Sequence, residues 1–125
     1  MAKKSKNVIT ITDILEKKGL QEDYSTYHSG LFGKDFEIET IGPDKIIDIM
    51  NNPESSEYEK YTQLIYLSCP IFRAKELHKD YEVENPYDIV DKVFNNQYAE
   101  IFEFGNLILR KYGFTSDRVE KVKKP

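Results

Sequence analysis

Between Phe36 and Ile41 apolar and polar residues alternate, whereas over most of the chain apolar residues recur at spacings of three and four. In the alternating stretch Phe36 and Ile38 would face a core while Glu37 and Glu39 meet water. Just before it, Leu31 to Phe36 has the form of a hairpin, with Gly33 to Asp35 as the turn. Leu20 to Ser29, polar around Tyr24 and Tyr27, reads as irregular chain or a loose strand. Two strands alone are marginally stable, so this hairpin has to pack on helices or pair with another chain.

The helical spacing comes with start and stop signals. Thr10 and Asp13 match a capping box, and Ile11, Ile14 and Leu15 share one face of a two-turn helix ending at Gly19. A helix this short is expected to dock rather than stand alone. Pro43 and Asp44 open a second helix carrying Ile46, Ile47, Ile49 and Met50, which Asn51-Asn52-Pro53 stops. Ser56 with Glu59 is another capping box, opening a helix over about 57–68 with a stripe of Tyr58, Tyr61, Leu64, Ile65 and Ser68. Cys69-Pro70 ends it, and residues 73–81 offer a short helix carrying Leu77.

Asn85-Pro86-Tyr87-Asp88 is a start signal with Asn85 as cap, followed by Ile89, Val90, Val93 and Phe94. After Asn95-Asn96 a last helix runs from about Gln97 to Tyr112, with Ile101, Phe104, Gly105, Ile108, Leu109 and Tyr112 on one face and Gly113 as its stop. Glycine within a helix costs roughly 1 kcal/mol against alanine, and a close helix–helix contact at Gly105 would account for it. These elements predict a mainly α fold: a compact helical domain of about five or six helices with a small β-hairpin in the N-terminal third. The domain would cover residues 8–114, between a flexible basic arm (1–7) and a charged flexible tail (115–125).

A length of 125 residues fits one domain, and nine Tyr with seven Phe give it enough bulk for a core, which argues against general disorder. The net charge is −4, and the lysine clusters (Lys3, Lys4, Lys6 and Lys121, Lys123, Lys124) sit at the two ends. A nucleic-acid binder would carry a basic stripe on its body, so no nucleic-acid partner is expected. One cysteine makes no internal disulfide, which suits a reducing compartment. No apolar run approaches the ~20 residues that span a bilayer, and the polar start does not lead into a signal peptide. A cytoplasmic protein without a membrane partner is the expectation.

Candidate chemistry is sparse. His28 and His78 are the two imidazoles, and neither an HExxH nor a paired-cysteine spacing accompanies them. His28 reads as a loop residue and His78 as part of a polar helix face. Cys69 falls at a helix C-terminus, where the partial negative charge disfavours a thiolate, and reads as a small buried residue. Gly30, Gly33 and Gly42 form no phosphate loop. Asp88, Asp91 and Glu100 read as solvated helix-face carboxylates. No catalytic, cofactor-binding or metal-binding site is expected, and hence no enzyme. Tyr58, Tyr66, Tyr81, Tyr87 and Tyr98 cannot all lie deep in a core this small, and tyrosine is a common interface residue.

The second half carries a resemblance. Leu64-Ile-Tyr-Leu-Ser-Cys-Pro-Ile-Phe-Arg73, then Glu76-Leu77, then Asn85-Pro-Tyr-Asp-Ile-Val-Asp-Lys-Val-Phe94, and the ending from Ile101 to Gly113-Phe114, resemble the XkdN-like phage tail assembly chaperones. Thr12-Asp13-Ile14-Leu15 and Phe36-Glu-Ile38 look like that family's weaker N-terminal features. The likeness spans about residues 8–114 and is most specific over 64–114. It departs at Glu82, where the family tends to place Gly after the aromatic, and at Asn95-Asn96-Gln97, where the family has a Pro-Gly turn.

What the resemblance implies is a chaperone in the bacterial host cytoplasm that coats the long helical tape measure protein and keeps it soluble. Tail tube protein would then displace it, leaving it absent from the mature tail. A longer frameshifted form would supply the contact with tube protein, and the Val122-Lys123-Lys124-Pro125 ending is compatible with a slippery site. Coating a rod with weak contacts calls for self-association. The residues assigned to partner binding are Tyr58, Tyr61 and Ile65 on the middle helix with Phe102 and Leu109 on the last, some of them staying exposed in an isolated subunit. The alternative is a small acidic helical binder, regulatory or immunity-type, that blocks one folded target; a hydrolase built on Cys69 or His78 is a third reading.

Overall fold

A computed structural model of the chain describes residues 7–18 and 24–114. The first six positions of the basic arm, the helix stop at Gly19, Leu20 to Asp23 and the tail 115–125 lie outside the described residues. In chain order come α1 (Ile11–Lys18), β1 (Thr26–Ser29), β2 (Lys34–Glu37), α2 (Pro43–Met50), α3 (Glu57–Ser68), a 3-10 turn (Pro70–Arg73), α4 (Lys75–Tyr81), α5 (Asp88–Phe94) and α6 (Tyr98–Lys111). The fold is mainly α with one small antiparallel hairpin in the N-terminal third, as the apolar spacing predicts.

Helix α3 is the centre. It packs against α6, α5 and α2, while β1 lies on α6 and β2 against the 3-10 turn. The Ser56–Glu59 box forms as predicted: the Glu59 amide donates to Ser56 Oγ at 3.1 Å, and the Ser56 amide donates to Glu59 Oε1 at 3.0 Å. These backbone and hydroxyl donors hold the Glu59 carboxyl below its ordinary range. At the far end Arg73 donates to the carbonyls of Tyr66 and Leu67 at 2.9 and 3.0 Å and to Glu39 Oε1 at 2.9 Å. It thereby satisfies last-turn carbonyls that helix geometry leaves without partners.

Helix α6 ends as the Gly113 signal predicts. Gly113 takes φ 79°, its amide donates to the Arg110 carbonyl, and the Phe114 amide donates to the Leu109 carbonyl at 2.8 Å. Those two bonds are the paired closure of a Schellman motif. Gly105 lies where α6 meets α3, facing the ring of Tyr61. The predicted close contact is therefore present.

An aromatic cluster joins the hairpin to the helices. Tyr27 stacks on Phe104 with centroids 4.2 Å apart, and Phe36 packs against Phe72, Phe94 and Phe104 at 5.3–5.7 Å. Burial pushes the Tyr27 phenol up from its ordinary value, with Glu100 and Glu103 adding to the shift.

The hairpin differs from the expected one in register. Ser29 pairs with Lys34 and Gly30 to Gly33 make the turn, so β1 occupies the stretch read as irregular or loosely extended. Gly33, at φ 65°, closes the turn rather than opening it. Beyond β2 the Ile38 amide still donates to Ser25, but the Glu39 amide turns to the Ser68 carbonyl at 2.7 Å, which cuts the strand short of Ile41. Phe36 and Ile38 do turn inward and Glu37 and Glu39 outward.

Three left-handed residues shape the connections: Glu82 at φ 53°, Asn95 at 48° and Asn96 at 66°. Asparagine tolerates this region, whereas glutamate carries a strain of order 1–3 kcal/mol there. Glycine would remove that strain and return part of the gain through greater unfolded-state freedom. Glu82→Gly is expected to raise stability by about 1 kcal/mol, read as a higher urea midpoint with unchanged slope; a lower midpoint would refute the strain. Asn85 does not cap α5: its side chain accepts the Tyr87 amide at 3.1 Å in a turn before the helix, the turn is closed further by the Asp88 and Ile89 amides, and α5 begins at Asp88 with Tyr87 in the cap position and no side-chain bond there.

Candidate interaction surfaces

Of the five residues assigned to partner binding, three are core. Tyr61, Ile65 and Leu109 are buried among the residues that fill the domain. The reason is reciprocal: the stripes of α3 and α6 face each other, so each covers the other. Tyr61 also donates its hydroxyl to Asn106 Oδ1 at 3.0 Å. Tyr58 and Phe102 reach the surface half-buried, and there they meet Tyr98, which is 51% exposed. Tyr58 lies edge-on to Tyr98 and to Phe102 with centroids 5.2 and 6.0 Å apart. Its hydroxyl donates to Asp91 Oδ1, and burial followed by that bond pushes the phenol up from its ordinary value. The result is an aromatic patch whose rings are held by one another and by Asp91, leaving little rotamer freedom to lose on binding.

A second apolar surface was expected to be covered and is not. The Thr10–Asp13 box forms, with reciprocal bonds of 3.0 and 3.1 Å, but α1 does not dock on the domain. Ile11, Ile14 and Leu15 are 77%, 58% and 61% exposed, and Val8 and Ile9 just before them are exposed as well. The spacing established that the helix has an apolar face; it held no information on what meets that face.

The third surface is a cleft of about 610 Å³ between β2, the 3-10 turn, α4 and α5. Phe36, Phe72, Leu77 and Val93 contribute its covered part, while Phe32, Ile71 and Tyr81 stand exposed around it and Lys34, Asp35 and Glu37 border it along β2. Sequence reasoning missed this cleft, because its walls come from four separate elements and no single stripe marks it.

The titratable groups read as bystanders have structural partners. His28 lies on β1 rather than in a loop and meets Asp35 Oδ1 at 2.7 Å across the hairpin. His78 is half-buried, not on a fully polar face, and its Nε2 donates to the Phe72 carbonyl at 2.6 Å. Glu100 is not merely solvated: it accepts from Ser29 Oγ at 2.6 Å and from the Leu31 amide at 2.9 Å, pinning the hairpin turn to α6. Asp91 likewise holds Tyr58. Cys69 is fully buried, and burial pushes its thiol up to about 12, so at neutral pH it is a protonated group out of reach of solvent. Among the described residues no group of three His, Cys, Asp or Glu gathers as metal ligands, and no helix is long and apolar enough to cross a membrane.

Compared with known proteins, the chain matches no family model, no curated protein and no solved structure.

Proposed function

We propose that the protein is a tail assembly chaperone of a phage or phage-tail-like particle. It binds the tape measure protein, keeps it soluble in the cytoplasm of the bacterial host, and is displaced as tail tube protein polymerises. The resemblance over 64–114 supplies the family. The structural observation that supports a binding role is the patch of Tyr58, Tyr98 and Phe102: rigid aromatic surface on an acidic helical body. Such a patch suits an apolar helix face, the chemistry a long tape measure helix offers, and tyrosine and phenylalanine supply much contact area at little entropic cost. A modest contact repeated along a rod holds by avidity and still yields to tube protein. No cofactor or metal enters this reading.

Co-expression with the long helical protein encoded just downstream, followed by co-purification and a mass, tests the proposal. A complex with several copies of this chain per partner is the expected result, and Tyr98→Ala, which removes an exposed ring, is expected to lower recovery at least about tenfold, as loss of an aromatic anchor commonly does. An insoluble partner with this chain left alone would overturn the chaperone reading. A one-to-one complex with a different, folded protein would establish the alternative, a small acidic binder that blocks a single target.

A further inference from the structure

We infer that α1 of one copy seats in the cleft between β2, the 3-10 turn and α4 of a second copy, joining the chains head to tail. The inference concerns this chain alone and does not depend on the identity of its long partner.

Two unmatched surfaces on one molecule carry it. The segment from Val8 to Leu15 exposes five large aliphatic residues, three of them on one face of α1. The cleft exposes Phe32, Ile71 and Tyr81 around an apolar floor and is not filled by the chain's own α1, which stands exposed. At about 1.5 Å per residue, the eight residues of α1 are about 12 Å long, so one face offers the cleft a few side chains. That load suits a cleft of about 610 Å³. Leaving either surface in water forgoes the burial of several large apolar side chains.

Charge selects the same pair. Residues 1–18 hold five lysines against two carboxylates, whereas residues 24–114 hold nine basic side chains against sixteen acidic ones. A basic segment therefore meets an acidic body, and the cleft itself is bordered by Asp35 and Glu37 against one cation, Lys34. Two such N-terminal segments meeting each other would bring like charge together, although α1 itself is neutral, with Asp13 and Glu16 against Lys17 and Lys18. Because the two patches differ, the contact is heterologous, and each copy that receives a helix still presents its own. Such a contact propagates into a row unless its rotation closes a ring.

The test uses the full chain and two variants at exposed positions, so that folding is spared. One is the double substitution Ile11→Gln with Ile14→Gln; the other is Ile71→Lys at the mouth of the cleft. Light scattering across a concentration series should give the unsubstituted chain a mass above one chain that climbs with concentration. Each variant alone should stay at one chain. Their equimolar mixture should settle at two, since the intact helix of the cleft variant enters the intact cleft of the helix variant and neither end extends further. An unsubstituted chain that remains monomeric, as it would if α1 closed on its own cleft, overturns the inference. So does a helix variant that still associates, or a mixture that stays at one chain while both variants keep the unsubstituted circular dichroism.

Discussion

Gly105→Ala is expected to destabilise the domain by about 2 kcal/mol or more even though alanine is the better helix former. A Cβ at this position would lie 2.2 Å from Tyr61 Cδ1 and 2.9 Å from Cγ. Both atoms belong to the ring near its root, and the far end of that ring is tied to Asn106. The ring therefore cannot swing away without losing its hydrogen bond and its edge contact with Phe102, whose centroid is 5.0 Å distant. The alternative is to push α6 off α3, the most extensive helix pair in the fold. Overpacking of this kind costs about 1–3 kcal/mol and occasionally more, and alanine returns roughly 1 kcal/mol in helix propensity, so a net loss of about 2 kcal/mol needs strain at or above the upper end of that range; so close an approach to ring carbon supplies it. Urea unfolding reads the result. Combining the change with Tyr61→Leu should recover part of the loss, because the clash and the ring disappear together, and that non-additivity separates a steric cause from a general helix defect. A Gly105→Ala midpoint at or above that of the unsubstituted chain would show that the two helices have room to spare.

Phe104→Ala is expected to cost still more, about 3–5 kcal/mol by the usual range for a fully buried phenylalanine. Phe104 lies where three parts of the molecule meet: it stacks on Tyr27 of β1, packs on Phe36 of β2 at 5.5 Å and meets Phe94 of α5 edge-on at 6.2 Å. The cavity would be lined by rings from different elements, each fixed by other neighbours, and has little means to collapse. Domains of this size have roughly 5–15 kcal/mol in hand, so the variant sits near the edge of folding. Thermal melts and urea curves should show a lowered midpoint. Hairpin amides should lose hydrogen-exchange protection more than those of α3, since both hairpin strands rest on this ring through Tyr27 and Phe36. A loss under about 1 kcal/mol would mean that the cluster repacks freely and that Phe104 is not its hub.

The sequence carried the local devices well. Both capping boxes, the Gly113 stop and the boundaries of α2 and α3 follow from short-range chemistry, and each forms; the close approach at Gly105 was legible because a glycine inside a helix is costly without one. What it did not carry was pairing over distance. The stripes of α3 and α6 were visible, but not that they face each other, and so Tyr61, Ile65 and Leu109 were assigned to a surface they help to bury. The same blindness hid the hairpin register, which Glu100 settles from some seventy residues away, and the roles of Arg73 and His78 at helix and turn ends. For α1 the apolar face was legible, but the docking expected from it does not occur: Ile11, Ile14 and Leu15 stay exposed. Of the three exposed apolar surfaces, two are ones that no stripe announced in full: the ring patch at Tyr98 and the cleft at Ile71.

The Glu100 contact also sets an order of events during synthesis. The hairpin strands belong to the first third of the chain, yet the carboxylate that holds their turn and the ring that stacks on Tyr27 both belong to its last helix. A two-stranded hairpin has little stability alone, and contacts of such sequence separation form late. The part of the protein made early is thus locked late, when α6 arrives, and a nascent chain halted before Glu100 would leave both strand edges unpinned. Completion of the fold is in this sense a check that translation has passed α6.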